Sequence, residues 1–288
     1  MAESPPGRHP FGPLRYSRVT ELIASQCGLS AASLPALTGG ESIPEDKQIL
    51  VFDSESIEDL CRTGRQLAKE GRLGVLAGCA GFAAVLPELL GIDSGHFVPV
   101  PHLDPRLLVI CGSVNPITTA QMDYAEQKGF RRMRLSPRQK LEPGYWQTEE
   151  SRELLASIEE MLSKYPRCII ETNDQGSNQP TADYAAKLGI DRETLRVRIA
   201  GSLGQLVKGI FSSPSLGTIL MTGGDTLLQC MNCLEVNELE PICEMEKGIV
   251  LARFTYGGHT RHIITKSGGF GQESLMTDLA ERIANPVP

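Results

Sequence analysis

Two glycine-rich stretches near the C-terminus hold the residues best suited to chemistry: Thr222-Gly223-Gly224-Asp225-Thr226 and Thr265-Lys266-Ser267-Gly268-Gly269-Phe270-Gly271. Each follows a short apolar run, Leu216 to Met221 for the first and His262-Ile263-Ile264 for the second, and each precedes a helix-like pattern. A glycine pair at the end of a buried strand lets the backbone take positive φ and approach a ligand closely. Where a helix starts next, its free N–H groups and dipole end face the same spot and favour an anion such as phosphate. Gly112-Ser113 ends a third apolar run, Leu107 to Cys111. All three lie just after predicted strands, at the edge where open parallel sheets bind ligands. Glycine pairs also make plain tight turns. Two at matching strand-to-helix junctions, each with a hydroxyl and a charge beside it, favour a phosphate cradle.

Phosphoryl transfer needs positioned N–H donors, a cation for the phosphates, and often a carboxylate that holds Mg²⁺ or the nucleophile. The glycine loops supply donors, Lys266 or Mg²⁺ the positive charge, and Asp225 the carboxylate, which makes Asp225 the candidate catalytic residue. Each also has a structural reading: Asp225 as a helix cap, Lys266 as a solvated strand end, Ser113 as a turn hydroxyl. Neither Gly-x-x-x-x-Gly-Lys-Ser/Thr nor Gly-x-Gly-x-x-Gly occurs, so the P-loop and dinucleotide-binding readings are weak. The Gly-x-Ser-x-Gly elbow of α/β-hydrolases is absent too. Cys230-Met-Asn-Cys233 has a zinc-ligand spacing, but no second such pair follows, and His259 and His262 are awkwardly spaced in a predicted strand. No metal ligands are assigned.

The elements that must position these residues alternate. Residues 1 to about 45 are weakly patterned, with Pro5-Pro6, Pro10, Pro13 and Gly39-Gly40 around one short helical stretch near Val19 to Gln26. Gln48 to Phe52 reads as a strand ending at a cap, Asp53-Ser54, and a helical face from Ile57 runs through to Gly71. Leu73 to Ala77 reads as another strand, and Gly78-Cys-Ala-Gly81 opens a helix to Leu90. Gly91 to Pro105 has three prolines and no periodicity, which marks a linker. A second series follows: strand Leu107–Cys111, a helix opened by Asn115-Pro116, strand Arg132–Leu135, helix Thr148–Tyr165 and strand Cys168–Glu171. A polar loop spans Thr172 to Pro180. A long helix from Asp191 to Phe211, a short helix between the glycine loops, and strands near Ile249–Tyr256 and Arg261–Thr265 complete it. This rhythm predicts an α/β protein of two domains, 1–100 and 107–288, with mostly parallel sheets covered by helices on both faces.

Composition narrows the class. In 288 residues, 41% are hydrophobic and 22% charged, as in ordinary soluble proteins, and the net charge of −7 argues against nucleic-acid binding. The one basic cluster, Arg131-Arg132-Met133-Arg134, reads as the solvated end of a strand. No run approaches the roughly 20 apolar residues that cross a bilayer, and the first ten residues lack the apolar stretch of a secretory signal. A cytoplasmic protein with eight reduced thiols is the expectation, with no membrane or nucleic-acid partner.

Leu107-Leu-Val-Ile-Cys-Gly-Ser-Val-Asn-Pro-Ile-Thr-Thr-Ala-Gln121 resembles the start of the nucleotide-binding domain of the four-carbon acid sugar kinases, which has a strand ending in Ser-Gly-Ser and then a helix with Thr and Gln. Thr222–Thr226 looks like that family's second signature and Thr265–Gly271 like its third. Glu244-Met-Glu-Lys-Gly248 resembles the turn between them, with Lys247 where proline is usual. The match covers residues 107 to 288. Residues 11 to 100 look like the later part of the family's N-terminal domain, with counterparts of Val51-Phe-Asp-Ser54 and Gly78-Cys-Ala-Gly81.

The resemblance implies ATP- and Mg²⁺-dependent phosphorylation of a small sugar acid of the threonate or erythronate type. Nucleotide contacts would fall on Ser113, Gly223, Gly224, Asp225, Thr226, Gly268 and Gly269, with Lys266 added by the charge argument. The family's opening Asp-Asp-x-Thr-Gly-Ala motif is missing, so the N-terminal domain reads as a truncated substrate domain. A parallel sheet lacking its first strands exposes an edge that a second copy or another partner would cover. A non-catalytic nucleotide-binding or regulatory protein is the main alternative. A sugar-phosphate aldolase or isomerase is the other, with no Schiff-base lysine or metal cluster to promote it.

Overall fold

The computed structural model describes residues 15–39, 41–92 and 100–285. The chain divides into two compact units, Met1–Phe97 and Val98–Pro288. The prolines of the first fourteen residues, Gly40 and the middle of the predicted linker, 93–99, lie outside the described residues.

In the first unit, α1 (Val19–Gln26) precedes strands β1 (Ala31–Leu34) and β2 (Ile49–Phe52), which pair in parallel. Helices α2 (Ile57–Lys69) and α3 (Ala80–Leu90) follow. Helix α2 begins at Ser56, whose hydroxyl accepts from the Asp59 N–H while the Asp59 carboxylate accepts from the Ser56 N–H. That reciprocal pair makes Ser56, not Ser54, the cap. Among the described residues the buried core is small: Leu37, Ile43 and Leu67, with Leu50, Phe52 and Leu73 against it. Two expectations fail here. Strand β1 is not foreseen by the sequence pattern, and Leu73 to Ala77 is not a strand. The two-stranded sheet contains only β1 and β2, and Val75 is 97% exposed. An apolar run becomes a strand only when a neighbour takes its hydrogen bonds, and this run has none in the sheet.

The second unit is the larger. Its elements are β3 (Leu107–Cys111), α4 (Pro116–Gln127), β4 (Arg131–Arg134), α5 (Pro137–Leu141), α6 (Glu149–Lys164), β5 (Arg167–Glu171), α7 (Gln179–Lys187), α8 (Arg192–Ile210), β6 (Thr218–Thr222), α9 (Gly224–Cys233), β7 (Glu240–Glu246), β8 (Ile249–Tyr256), β9 (His259–Lys266) and α10 (Leu275–Ala284). Seven strands form one sheet in the order β4-β5-β3-β6-β9-β8-β7. The first five run parallel; β8 is antiparallel to both β9 and β7. The β8–β9 hairpin closes through Gly257 and Gly258, both at positive φ (57° and 78°), as a two-residue turn that matches strand twist requires.

Side chains of β3 alternate between two cores. Leu108 and Ile110 join residues of α6, α8 and α9 on one face, and Leu107, Val109 and Cys111 join residues of α4 and α10 on the other. Each fully buried Leu or Ile contributes roughly 1.5–3 kcal/mol by leaving water. This is the α/β architecture expected, with a mostly parallel sheet and helices on both faces. Among the described residues no helix is long and apolar enough to cross a membrane.

Candidate functional site

The route of the chain over the sheet opens a crevice. After β3 it passes to the face covered by α4 and α10; after β6 it passes to the opposite face, where α9 packs on α8. Neighbouring strands whose chains leave to opposite faces part at their carboxyl ends, and such switch points bind ligands in open α/β sheets. The loops after β3, β6 and β9 all lie along this edge, because these three strands are adjacent and in parallel register.

The loop after β3 is held from both sides. The Gly112 N–H donates to the Thr222 carbonyl at 3.3 Å, and a Cβ at Gly112 would overlap Thr226 Oγ1. Ser113 Oγ accepts from the Asn115 N–H at 3.2 Å, and the Ser113 carbonyl accepts from Asn173 Nδ2 at 2.9 Å. Asn115 then caps α4, its Oδ1 accepting from the Ile117 N–H at 2.9 Å, with Pro116 at the first helical position.

Gly223, after β6, has φ +105°, where a side chain is strained, and it serves as the N-cap of α9. A Cβ on it would stand 3.3 Å from Thr226 Oγ1 and 3.7 Å from the Ser113 nitrogen, so this backbone runs close against the first loop. Gly224 is the first residue of α9, does not take positive φ, and has no atom within 4 Å of where its Cβ would be. Of the pair, only Gly223 needs the special conformation. The first helical bond runs from the Leu227 N–H to the Gly223 carbonyl, so the amides of Gly224, Asp225 and Thr226 precede any intrahelical acceptor. Thr226 is buried. Asp225 is exposed in the first turn and makes no cap; its Oδ2 accepts from Arg196 Nη1 at 2.8 Å.

Lys266 closes β9 and is only 3% exposed. It is not a solvated strand end. Its Nζ donates to the carbonyls of Ser267 (3.0 Å) and Gly268 (3.3 Å) and to Thr118 Oγ1 (3.2 Å). All three acceptors are neutral, and burial pushes the ammonium down to about 8. Across the sheet its register row reads Glu171, Cys111, Thr222, Lys266, so these side chains share the α4 face. Burial likewise drives the Cys111 thiol up to about 12, with the Glu171 carboxylate adding to the shift. Gly268 faces the first loop: a Cβ there would stand 3.2 Å from Ser113 Oγ, and one on Gly269 3.8 Å from Asn115 Nδ2. The helix that follows starts only at Leu275, so this loop, unlike the one after β6, does not lead straight into a helix N-terminus.

Ser113, Gly223, Thr226, Gly268 and Gly269 are therefore gathered along one edge, Gly224 opens beside them, Lys266 lies beneath, and Asp225 stands outward on Arg196. Sequence reasoning gave no role to the residues that hold the loops, although Thr118, Gln121 and Gly248 fall within the segments that resemble the family. Thr118, Gln121 and Asn173 are buried polar side chains bonded to loop carbonyls. Gly248 sits at the β7–β8 turn with φ +75°, against the ring of Phe270, and its carbonyl accepts from the Ser267 N–H. Thr118 and Gln121 fall three apart in a helix just after the first loop, a spacing that puts them on one face.

The basic cluster is also different from its expected form. Arg132 is 2% exposed at its side chain and donates to Glu171 Oε1 (2.7 Å), Asp123 (2.6 Å) and Glu126 (2.9 Å). Arg134 joins on Glu171 at 2.9 Å. These arginines are spent on carboxylates under the sheet edge. Burial holds the Glu171 carboxyl above its ordinary range despite the two guanidinium groups. Another cluster lies beside Asn173, where buried Lys140 donates to Asp174 Oδ1 (2.6 Å), the Thr172 carbonyl (2.9 Å) and Thr181. Among the described residues no group of three or more His, Cys, Asp or Glu side chains is placed to hold a metal ion. A separate concavity lined by Leu103, Asp104, Phe211, Thr218 and Arg261 lies where β6 begins, at the opposite edge from the glycine loops.

Comparison with known proteins identifies the family and the fold. A family described as the nucleotide-binding C-terminal domain matches residues 108–276, more than half of the chain. D-threonate kinase of Salmonella typhimurium is 24% identical over 284 residues, covering 93% of this chain and 64% of that protein. 3-Oxo-isoapionate kinase of Paraburkholderia graminis is 21% identical over 295 residues, covering 93% and 61%. The chain thus spans less than two thirds of the length of these relatives. A solved Salmonella typhimurium structure shares the fold with a TM-score of 0.68 at 18% identity, over 99% of this chain and 66% of the other. A Haemophilus influenzae structure does so with a TM-score of 0.56 at 15% identity, over 97% and 67%. The chain belongs to the four-carbon acid sugar kinase family.

Proposed function

We propose that the crevice over the carboxyl ends of β3, β6 and β9 binds the phosphates of ATP, for phosphorylation of a small sugar acid of the threonate or erythronate type. One observation carries the reading: at three adjacent strand ends, glycines bring the loops so close that a Cβ at Gly112, Gly223 or Gly268 would crowd Thr226 or Ser113, and one of these ends is the open N-terminus of α9. Three amides that precede the first helical bond offer donors to an anion, and the aligned peptide dipoles favour negative charge there. Kinase relatives acting on a four-carbon acid and on an oxo sugar acid support the substrate class.

In this account the amides of Gly224 to Thr226 and of Gly268 and Gly269 hold phosphate oxygens, and Ser113 adds its hydroxyl. ATP brings the transferable phosphoryl group with Mg²⁺, whose charge offsets that of the phosphates. Asp225 is the carboxylate of the crevice rim that fits a Mg²⁺ or acceptor-hydroxyl role, since Arg196 can hold it in place from α8. Residues 107–288 would be the nucleotide-binding domain and residues 1–100 part of the substrate domain.

The test is ADP release from ATP and Mg²⁺ with a panel of four-carbon acids, in wild type and Asp225→Asn. A carboxylate acting mainly in the transition state predicts a kcat loss larger than any rise in KM. Turnover with kcat unchanged in Asp225→Asn contradicts the catalytic assignment. Saturable ATP binding without turnover on any acid supports the non-catalytic nucleotide-binding reading instead.

A further inference from the structure

The third loop is unusual in what its carbonyls do. Those of Ser267 and Gly268 accept from Lys266 Nζ, and that of Gly268 also accepts from Thr118 Oγ1 at 2.6 Å. Those of Phe270 and Gln272 both accept from Gln121 Nε2, each at 3.0 Å. Four carbonyls of one loop are thus taken by three buried side chains. Two acceptors at one end of the Gln121 amide require its nitrogen there, which fixes the orientation and leaves Oε1 buried without a partner. Leaving a buried oxygen unpaired costs free energy, so the loop conformation is held against a local penalty.

In a trans peptide the N–H of the next residue points opposite to the carbonyl. With the Ser267 and Gly268 carbonyls turned to Lys266, the amides of Gly268 and Gly269 are turned away from it. The loop's other amides include those of Ser267 and Phe270, which donate to the carbonyls of Gly248 and Ser267. Two successive amides turned away from Lys266, without side chains and at the centre of the Ser267–Phe270 turn, are a donor pair suited to an anion.

We propose that Thr118, Gln121 and Lys266 are positioning residues that turn the Gly268 and Gly269 amides toward the terminal phosphates of the nucleotide. They touch no ligand themselves. This rests on the nucleotide reading of the crevice. It also changes the part of Lys266, which acts from below through the loop and not by direct contact with phosphate. Thr118 is the hinge of the set, since its hydroxyl accepts from Lys266 and donates to Gly268.

The test uses the whole chain, with ATP, ADP and adenosine titrated into wild type, Thr118→Val, Thr118→Ser and Gln121→Leu. Thr118→Val keeps the volume and removes the hydroxyl. We expect ATP and ADP to bind at least about fivefold more weakly to Thr118→Val and Gln121→Leu, adenosine to be within about twofold of wild type, and Thr118→Ser to recover ATP affinity. ATP-induced shifts of the Gly268 and Gly269 amide resonances should be present in wild type and lost in Thr118→Val. If Thr118→Val does not fold, Gln121→Leu carries the same comparison. Wild-type ATP affinity in both folded variants overturns the positioning role while leaving the nucleotide site standing. Equal losses for ATP and adenosine overturn it as well, because a phosphate-directed loop cannot act on the nucleoside. Failure of wild type to bind ATP removes the reading beneath it.

Discussion

Lys266 is a charged side chain with neutral partners only, and its burial has a measurable consequence. Its ammonium is pushed down from 10.5 to about 8 in the folded chain, while in the unfolded chain it keeps the ordinary value. Between about pH 8 and 10.5 the unfolded state therefore binds more protons, and stability from this group rises with pH across that window. The penalty is fully present below pH 8 and is relieved above it. Cys111, the titratable group facing Lys266, is pushed up to about 12 and stays neutral throughout. The difference in unfolding free energy between wild type and Lys266→Met should shift in favour of wild type by up to about 3 kcal/mol from pH 8 to 10.5. Chemical denaturation at several pH values reads it directly, and a flat difference would show that Lys266 titrates normally. At this scale the sequence revealed which residue types were gathered but not their separate tasks. Gly223-Gly224 reads as a pair, yet only Gly223 takes positive φ, a distinction set by where α9 begins. Lys266 at a strand end reads as either a phosphate cation or a solvated strand end, because its covering by α4 depends on long-range packing.

At the scale of elements, Asn115 links the first loop to α4. Its carbonyl-type oxygen accepts from the Ile117 N–H, and the helix it starts carries Thr118 and Gln121. Asn115→Ala should destabilise the fold by about 1 kcal/mol, whereas Asn115→Asp, which caps as well, should cost little. Thermal or urea unfolding checks this; equal losses in the two variants would place the effect in the Asn115 Nδ2 group beside Gly269 instead. Most elements of the second unit were legible, since strands such as Leu107–Cys111 and helices such as Glu149–Lys164 carry strong periodicity and caps. Strand β7 was hidden in what reads as a turn, because its pairing with β8 is broken by two register shifts and it contains Pro241. Leu73 to Ala77 was misread for the converse reason: it has the composition of a buried strand but no neighbour in the sheet.

For the whole molecule, the two units differ in how much apolar surface secures them. Among the described residues the first has three in its buried cluster, and the second has two cores that sandwich a seven-stranded sheet. Fewer buried contacts oppose chain entropy in the first unit, so its local opening is easier. Amide hydrogen exchange should be faster over residues 15–92 than over 107–285, with ATP protecting mainly the latter; uniform protection across both would contradict this ranking. The phosphate site in the crevice can be probed at Gly224. A side chain there meets nothing in the protein and is not opposed by positive φ, so Gly224→Val leaves the fold intact yet fills the space beside the free amides of α9. Calorimetric titration of ATP with Mg²⁺ should give saturable binding to wild type. Affinity for the folded Gly224→Val variant should be at least about tenfold weaker, roughly 1.4 kcal/mol. No binding to wild type, or unchanged affinity in the folded variant, would contradict a phosphate site at this edge of the sheet.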